Sequence, residues 1–498
     1  MSGFDCDLLV VGLGPVGDVL AGLARLHGLS VIAIDKAAAI HPLPRAAVFD
    51  HEIMRIFQML GLADEIGRHC RVPERYEFIT AHGDVLLDFD LAMIQPQSGW
   101  AESYALHQPA VEQALQARIA ALGVDIRRAV SFQSMSADDQ GVTAVVEGPA
   151  GPYPLRTRYL VGCDGGRSPV REAAGITLVD FGFDEQWLVL DTVCEDPQGL
   201  PLTVRQICDP NRPVTYMPMA APRFRWEFMI KPGETPADML QDEAINALLA
   251  PWGCADRVRV ERRAVYQFHA LSARDWRRDR VFLAGDAAHQ MPPFAGQGMC
   301  SGIRDACNLA WKLALVVKGE ADAAILDTYQ SERDPHVRAI IETAIAMGRT
   351  VCILDAAAAS ARDAAMLAQR AAGGQNISIR DPDLVEGLLT TTPAAGALFP
   401  QALKGDLRLD EVLGLSAVLI GRDPPVGDDP TLRRLDLDDP ALDPFRAALQ
   451  TWLDDQGAPA VLVRPDRHIF GTGDPEALVS AWRDKLGLGA FAGSPAFS

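Results

Sequence analysis

Gly285-Asp286-Ala287-Ala288-His289, running on through Pro292-Pro293 to Gly296-Gln297-Gly298, is the stretch that decides how the rest of this chain is read. The apolar run Val281-Phe282-Leu283-Ala284 before it predicts a short buried strand, and Asp286 follows the carboxyl end of that strand. A carboxylate there accepts hydrogen bonds from ribityl or ribose hydroxyls. The turn at Pro292 and Pro293 and the glycines at 285, 296 and 298 let the backbone lie close against a flat ligand. A helix starting at about Met299 then aims its positive end at that ligand.

Two distant segments ask for the same ligand. Leu8-Leu9-Val10-Val11 is an apolar strand running into Gly12, Gly14 and Gly17, with Pro15 opening the helix behind them. A second strand, Ser30 to Ile34, ends in Asp35 and Lys36. Strand, glycine turn, helix, strand and acid in this order form the dinucleotide fingerprint, in which glycines admit a pyrophosphate and the acid meets ribose hydroxyls. The third segment is Tyr159 to Ser168 with Arg171 one turn later; taken alone, it reads equally well as an ordinary strand-to-helix turn.

Together and in this order the segments resemble the flavin-dependent aromatic hydroxylases, single-component FAD monooxygenases that act on phenols. The resemblance covers about Asp5 to Pro335, and it is carried by Asp164-Gly165-x-x-Ser168-x-x-Arg171 and by the Gly285-Asp286 segment with Asp305, Asn308, Trp311 and Lys312. Cys163-Asp164-Gly165-Gly166, Arg225-Trp226-Glu227-Phe228-Met229 with Pro232-Gly233-Glu234, and Gly302 to Leu315 resemble the 3-(3-hydroxyphenyl)propionate hydroxylases within that family. The resemblance implies FAD as cofactor, NADH or NADPH as transient reductant, and dioxygen and a phenol as substrates. The implied chemistry is attack of a flavin hydroperoxide on the ring carbon ortho or para to the hydroxyl. It implies FAD contacts from the glycine turn, Asp35, Lys36, Arg45, Gln108, Asp164, Gly165 and Arg171, and from Gly285, Asp286 and the Pro293 to Met299 turn. Two departures stand out: Asp35-Lys36 replaces the glutamate and arginine common in relatives, and Cys300 replaces an asparagine.

Composition sets limits. With 498 residues, 48% of them hydrophobic, the chain can bury two or three domains. A formal net charge of -20 argues against nucleic acid and anionic membrane surfaces. A cytoplasmic enzyme is the expectation, since no signal peptide is evident and no stretch gives the roughly 20 apolar residues of a membrane span. The nine cysteines form no C-x-x-C pair, which counts against the flavin disulfide reductases, and the ten histidines form no metal-binding cluster.

The expected fold class is α/β: a Rossmann-like FAD-binding domain interleaved with an antiparallel-sheet substrate domain. The FAD domain takes residues 1–75, 100–181 and 268–352, and the substrate sheet takes 76–99 and 182–267. A helical linker region at 353–399 leads to a C-terminal unit at 400–498 that resembles the thioredoxin-like appendage of phenol-hydroxylase relatives. That unit has no cysteine, so thiol redox chemistry is excluded and a packing or homodimer role remains.

Candidate catalytic residues are Arg45, His289 and Pro292, each with a plainer alternative. Arg45 is a flavin and nicotinamide contact or a solvated arginine; Gln108 is a cofactor contact or a polar helix start; His289 is a base or a hydrogen-bonded structural histidine. Tyr216, Tyr266 and His269 are candidates for the phenol hydroxyl, and Trp226 for the pocket wall or core. A carboxylated substrate needs a cationic clamp, for which Arg205, Arg212 and Arg223 are available, with at most one or two facing inward. A flavin halogenase, which needs a W-x-W-x-I-P signature absent here, an isoprenoid-chain flavin reductase and a non-catalytic flavoprotein sensor are the competing readings.

Overall fold

The computed structural model describes residues 3–373 and 382–488. Gly374 of the expected break at Gly373-Gly374, and residues 489–498 of the C-terminal segment, lie outside them.

The strand Cys6–Val11 pairs in parallel with Val31–Asp35 on one side and with Gly151–Gly162 on the other, and Gly151–Gly162 pairs in turn with Val281–Leu283. Leu8, Leu9 and Val10 are wholly buried, as continuous apolar runs are when helices cover both faces of a parallel sheet. The register of these strands positions the site. Gly162 lies opposite both Val11 and Leu283, so the chain leaves the sheet side by side at Gly12, Cys163 and Ala284. Three motifs separated by more than a hundred residues thus meet at the carboxyl edge of one sheet, where open α/β folds bind ligands. The helices Pro15–Leu26 and Gly298–Lys318 pack against each other behind this edge. They approach closely because Gly302 has no side chain: a Cβ there would stand 2.6 Å from the Val16 side chain of the first helix and 2.8 Å from the Gly285 Cα.

A second eight-stranded sheet is antiparallel except where Val204–Ile207 runs parallel to Arg75–Ile79. Its long central strands, Leu178–Val193 and Arg259–Ala273, carry Arg223–Met229, Val214–Pro218 and the hairpin Arg75–Ile79/Val85–Asp90 outward. One face is apolar: Leu188, Leu190, Tyr216, Phe224, Trp226 and Phe228 form a core with the helix Asp242–Leu249. The opposite face looks at the carboxyl edge of the first sheet across a cavity.

The helix Ala356–Ala371 fills only the first part of the expected helical linker. Residues 382–399 have no helix; they lie along the C-terminal unit, where the Thr390 N–H donates to the Phe470 carbonyl and the Phe399 N–H to that of Arg467. That unit is a four-stranded sheet in which Ala417–Gly421 pairs in parallel with Leu432–Asp436 and antiparallel with Ala460–Val463, and Ile469–Gly473 forms the far edge. Helices Arg446–Asp455 and Pro475–Lys485 complete it. No helix among the described residues is long and apolar enough to cross a membrane.

Candidate active site

The cavity between the two sheets has a volume of about 950 Å³. Gly12, behind its floor, has φ of +103°, and a Cβ there would sit 2.4 Å from the Cys163 carbonyl oxygen. At Gly17 a Cβ would sit 1.9 Å from the Gly12 oxygen. Gly14 differs: the nearest atom is an Arg45 guanidinium nitrogen at 3.8 Å, so the space beside it is open to a ligand. The first helix starts here with no side-chain cap, and Gly14 and Pro15 face the cavity with its N-terminal N–H groups. Asp35 accepts hydrogen bonds from the Leu13 and Ala37 N–H groups at 2.8 and 2.7 Å, so this acid fixes the glycine turn from outside the cavity. Lys36 is exposed beside it.

The second motif separates into lining and brace. Gly165 and Gly166 line the cavity. Asp164 accepts from the Ser168 hydroxyl and the Val170 N–H, and burial lifts its carboxyl above the usual range. Arg171 stands outside the cavity, donating to the Ala287 carbonyl at 3.0 Å and to that of Gly166 at 2.9 Å. It ties the second motif to the third.

In the third motif Gly285 and Gly296 have φ of +62° and +68°, and a Cβ on Gly296 would meet Val48 at 2.4 Å. Asp286 opens into the cavity yet is ringed by protein, which pushes its carboxyl above the ordinary value. Among the described residues its carboxylate has no hydrogen-bond partner. Pro293, Gly296, Gln297, Gly298 and Met299 line the cavity, and the helix Gly298–Lys318 presents its uncapped N-terminus there; Pro292 does not line it. His289 is a correction to its place among the catalytic candidates. Its Nε2 lies 2.6 Å from Asp305, which also accepts from the Gly285 N–H and the Arg333 guanidinium, and the ring is fully buried outside the cavity. That geometry fits its hydrogen-bonded structural alternative.

The loop carrying Arg45 is held from both sides. Gln108 accepts from the Arg45 and Ala46 N–H groups and donates to Glu112, so its amide is committed to the loop, although the residue also lines the cavity. From the second sheet Arg225 donates to the Arg45 and Pro44 carbonyls and Arg262 to that of Pro44, and both pair with Asp191. The Arg45 side chain is half exposed at the wall, 3.3 Å from Glu112.

Strand phase sorts the substrate candidates. Tyr266 and His269 line the cavity; Tyr266 stacks on Phe268 and lies beneath the Arg262 guanidinium. Tyr216 and Trp226 do not: they point into the apolar core, where the Tyr216 hydroxyl donates to the Pro201 carbonyl. Arg205, Arg212 and Arg223 also lie outside the cavity, paired with Glu77, Glu234 and Glu261. Side chains alternate along a strand, and Arg205, Tyr216 and Trp226 have the outward phase; Arg212 lies in a turn, and Arg223 shares the phase of Arg225 but sits at the strand end, beyond the cavity. The inward phase carries residues to which the sequence assigns no role: Gln206, Thr215 and Met217, and, within the Arg225 to Met229 motif, Arg225 and Glu227. Alternation along Arg223–Met229, whose even positions are all apolar, is the signal that could have found them.

A glycine cradle that any Cβ would fill, two uncapped helix ends and an unpartnered carboxylate at Asp286 fit FAD: the glycine turn at the pyrophosphate, Asp286 at the ribityl chain, and the 296–299 turn at the ring. Known proteins agree. The family described as FAD binding domain matches residues 5–344. A protein of Rhodococcus jostii named as a probable NADH-specific resorcinol 4-hydroxylase is 37% identical, over 93% of this chain and 91% of that one. A Burkholderia cenocepacia 3-(3-hydroxyphenyl)propionate/3-hydroxycinnamic acid hydroxylase is 33% identical over 93% of both chains. Its Mycolicibacterium smegmatis counterpart is 38% identical over 72% of this chain, but only 63% of its own length is covered. Among solved structures, aklavinone-11 hydroxylase with FAD and aklavinone superposes with a TM-score of 0.77 at 25% identity, covering 98% of this chain and all of that one. The flavin-dependent monooxygenase PieE, with FAD and substrate, shares the fold with a TM-score of 0.82 at 22% identity, covering 98% of this chain and 100% of its own. The chain belongs to the FAD-dependent aromatic hydroxylases, and it is an oxidoreductase that uses FAD with a nicotinamide reductant.

Proposed function

We propose that this enzyme hydroxylates a small phenol without an anionic side chain, of which resorcinol is the type, with NADH as reductant. One observation carries the reading: the arginines available for a substrate carboxylate turn away into ion pairs, while the inward face of the same sheet presents Glu227. Arg225, the guanidinium of that sheet that does face the cavity, is committed to Asp191 and to two backbone carbonyls. An anionic tail lying against the sheet would therefore meet Glu227 and no unpaired cation of the sheet, while Arg45 and Arg167, which also line the cavity, stand on the FAD-binding side. The Rhodococcus relative's name supports both resorcinol and NADH.

FAD, when bound, takes two electrons from the nicotinamide and activates dioxygen, one atom of which enters the ring while the other leaves as water. The chain's own residues bind and orient. The helix ends at Gly14 and Gly298 favour negative charge at the pyrophosphate and at the reduced ring. Val189, Val204, Met217 and Phe294 exclude water from the space above. A hydrogen-bond chain from the Thr215 hydroxyl to the Gln206 amide to the Tyr76 hydroxyl ends on the Phe294 carbonyl, coupling the substrate sheet to the turn beside the ring. The proposal extends to a cytoplasmic location, supported by the acidic composition, and to a homodimer, supported by the exposed Leu403 and Leu407 of the C-terminal hairpin. Fractionation and sedimentation measure the two.

The test of function is NADH consumption with mass spectrometry of the products. Resorcinol should give coupled consumption and a trihydroxybenzene. Coupled turnover of 3-(3-hydroxyphenyl)propionate in its place, the activity named for the Burkholderia relative, would overturn the neutral-substrate reading.

A further inference from the structure

We infer that Glu227 is the residue that accepts the proton of the substrate's hydroxyl, and that its carboxylate is also what excludes acidic phenols. The inference rests on the proposed phenol hydroxylation. Glu227 lies in the middle of Arg223–Met229, opposite Val189 on one neighbouring strand and Thr215 on the other. It therefore stands at the centre of the inward face of the sheet, between an apolar wall residue and the start of the Thr215, Gln206 and Tyr76 chain.

Its surroundings set it apart from the other acids of this sheet. Asp191, two strand positions from Val189, is bound by Arg225 at 2.7 Å and Arg262 at 3.0 Å, and Glu77 by Arg205 at 3.1 Å. Among the described residues the Glu227 carboxylate has no hydrogen bond; the Arg225 guanidinium, 3.7 Å away, already donates to Asp191 and two carbonyls, and the Arg262 and Asp191 charges that also act on it are paired with each other. It is 7% exposed, and the surface it keeps faces the cavity. A buried carboxylate without a hydrogen-bond donor is costly unless a ligand brings one. Burial pushes the Glu227 carboxyl above its ordinary value, which makes its carboxylate a better proton acceptor than an exposed one. The phenolic hydroxyl of the chain is unsuited to act as that base, because Tyr76 already donates to the Phe294 carbonyl and burial raises its ionisation far above neutrality.

The step balances simply. The phenol O–H bond breaks, the proton goes to a Glu227 oxygen, and the electron pair stays on the phenol oxygen, where it raises electron density at the ortho and para carbons that oxygen attacks. The proton returns when the ring recovers its aromaticity and the hydroxylated product is released. Specificity follows from the same charge, because a second carboxylate lying against this sheet would face Glu227 with no uncommitted cation of the sheet beside it.

Glu227→Gln and Glu227→Asp test this. Wild-type hydroxylation should fall at low pH as Glu227 is protonated. In Glu227→Gln that acid limb should move up to the ionisation of the phenol itself, and coupled product should drop at least tenfold at neutral pH; Glu227→Asp should restore part of the neutral rate. A binding readout stands apart from turnover: wild-type enzyme should hold resorcinol roughly tenfold more tightly than its monomethyl ether with the remaining hydroxyl as reference, and Glu227→Leu should narrow that preference. If both variants retain FAD and Glu227→Gln keeps the wild-type rate and pH profile, Glu227 is not the base. If wild-type enzyme hydroxylates no phenol at all, the underlying functional reading fails instead. Should Glu227→Gln not fold, the wild-type pH profile and the partial activity of Glu227→Asp decide.

Discussion

The Arg55 guanidinium closes on the Asp410 carboxylate with two parallel hydrogen bonds, 2.7 and 2.8 Å long, across 355 residues of chain and out of contact with solvent. Its remaining nitrogen donates to the Phe399 carbonyl, so the C-terminal unit is clamped to the FAD-binding part by a fully used fork. Burial alone would raise the Asp410 carboxyl, but Arg55 and Arg467 outweigh it and hold it at about 2. A carboxyl whose folded value lies below its unfolded value of about 3.9 contributes stability above that value, and loses it as pH falls toward the folded one. Asp410→Ala should cost about 3–5 kcal/mol, because an uncompensated buried guanidinium remains. Thermal melts at pH 7 and across pH 4 to 2 measure it; an unchanged midpoint would show that the clamp contributes nothing.

Asp286→Ala should weaken FAD retention roughly tenfold or more, the loss of one charge-assisted hydrogen bond of about 1.5–3 kcal/mol. Its carboxylate has no hydrogen-bond partner among the described residues, so the apo fold should melt as before. Equilibrium dialysis of FAD against both proteins gives the number.

The glycines of the first turn should behave unequally. Gly12→Ala and Gly17→Ala place a Cβ 2.4 and 1.9 Å from backbone oxygens and should destabilise even the apo protein. Gly14→Ala meets nothing closer than 3.8 Å, so the apo fold should survive while FAD binding falls. Circular dichroism beside flavin fluorescence separates the two behaviours, and equal damage to the apo fold from all three would refute the assignment of Gly14 to ligand space.

Arg205→Ala, Arg212→Ala and Arg223→Ala, singly or together, should leave substrate affinity within about twofold, because partly exposed ion pairs of this kind are worth about 1 kcal/mol or less to the fold and none faces the cavity. Titration of phenol binding through the flavin absorbance is sufficient.

Arg171→Ala removes two hydrogen bonds to buried carbonyls and should lower stability by about 2–4 kcal/mol. The family resemblance of its motif implies a direct contact with the flavin or nicotinamide. A brace predicts instead that stability and FAD retention fall together, while the rate of reduction by NADH in molecules that keep FAD is close to normal. Stopped-flow reduction of the residual holoenzyme tells the two roles apart.

The parallel sheet and its three motifs were legible because their information is local: apolar runs, glycines and acids at fixed offsets. Less legible was what each acid does once folded. Asp35 and Asp164 look like ligand contacts in sequence, yet they accept backbone N–H groups of their own turns, while Asp286 is left open to a ligand. The choice depends on neighbours supplied by other segments. His289 was ambiguous for the same reason, since its partner Asp305 comes from the following helix. The substrate face is legible in part: Tyr266 and His269 line the cavity and Trp226 takes its core alternative, whereas Tyr216 lies one residue of phase away from Thr215, which with Glu227 occupies the wall. The Arg225, Arg262 and Asp191 cluster that steadies the Arg45 loop joins residues from three strands and one loop, and no window of sequence contains it.

That one-residue alternation has a practical consequence for changing what the enzyme accepts. Positions 215 and 217 can be varied as a pair that reshapes one compartment, whereas 216, 224, 226 and 228 belong to an aromatic layer shared with Trp252, and Arg225 is locked into the buried ion pairs that steady the Arg45 loop. A combinatorial library confined to the cavity-facing positions outside that cluster would search catalytic diversity at nearly constant foldability; one that scanned the strands residue by residue would discard many of its members before any of them met a substrate.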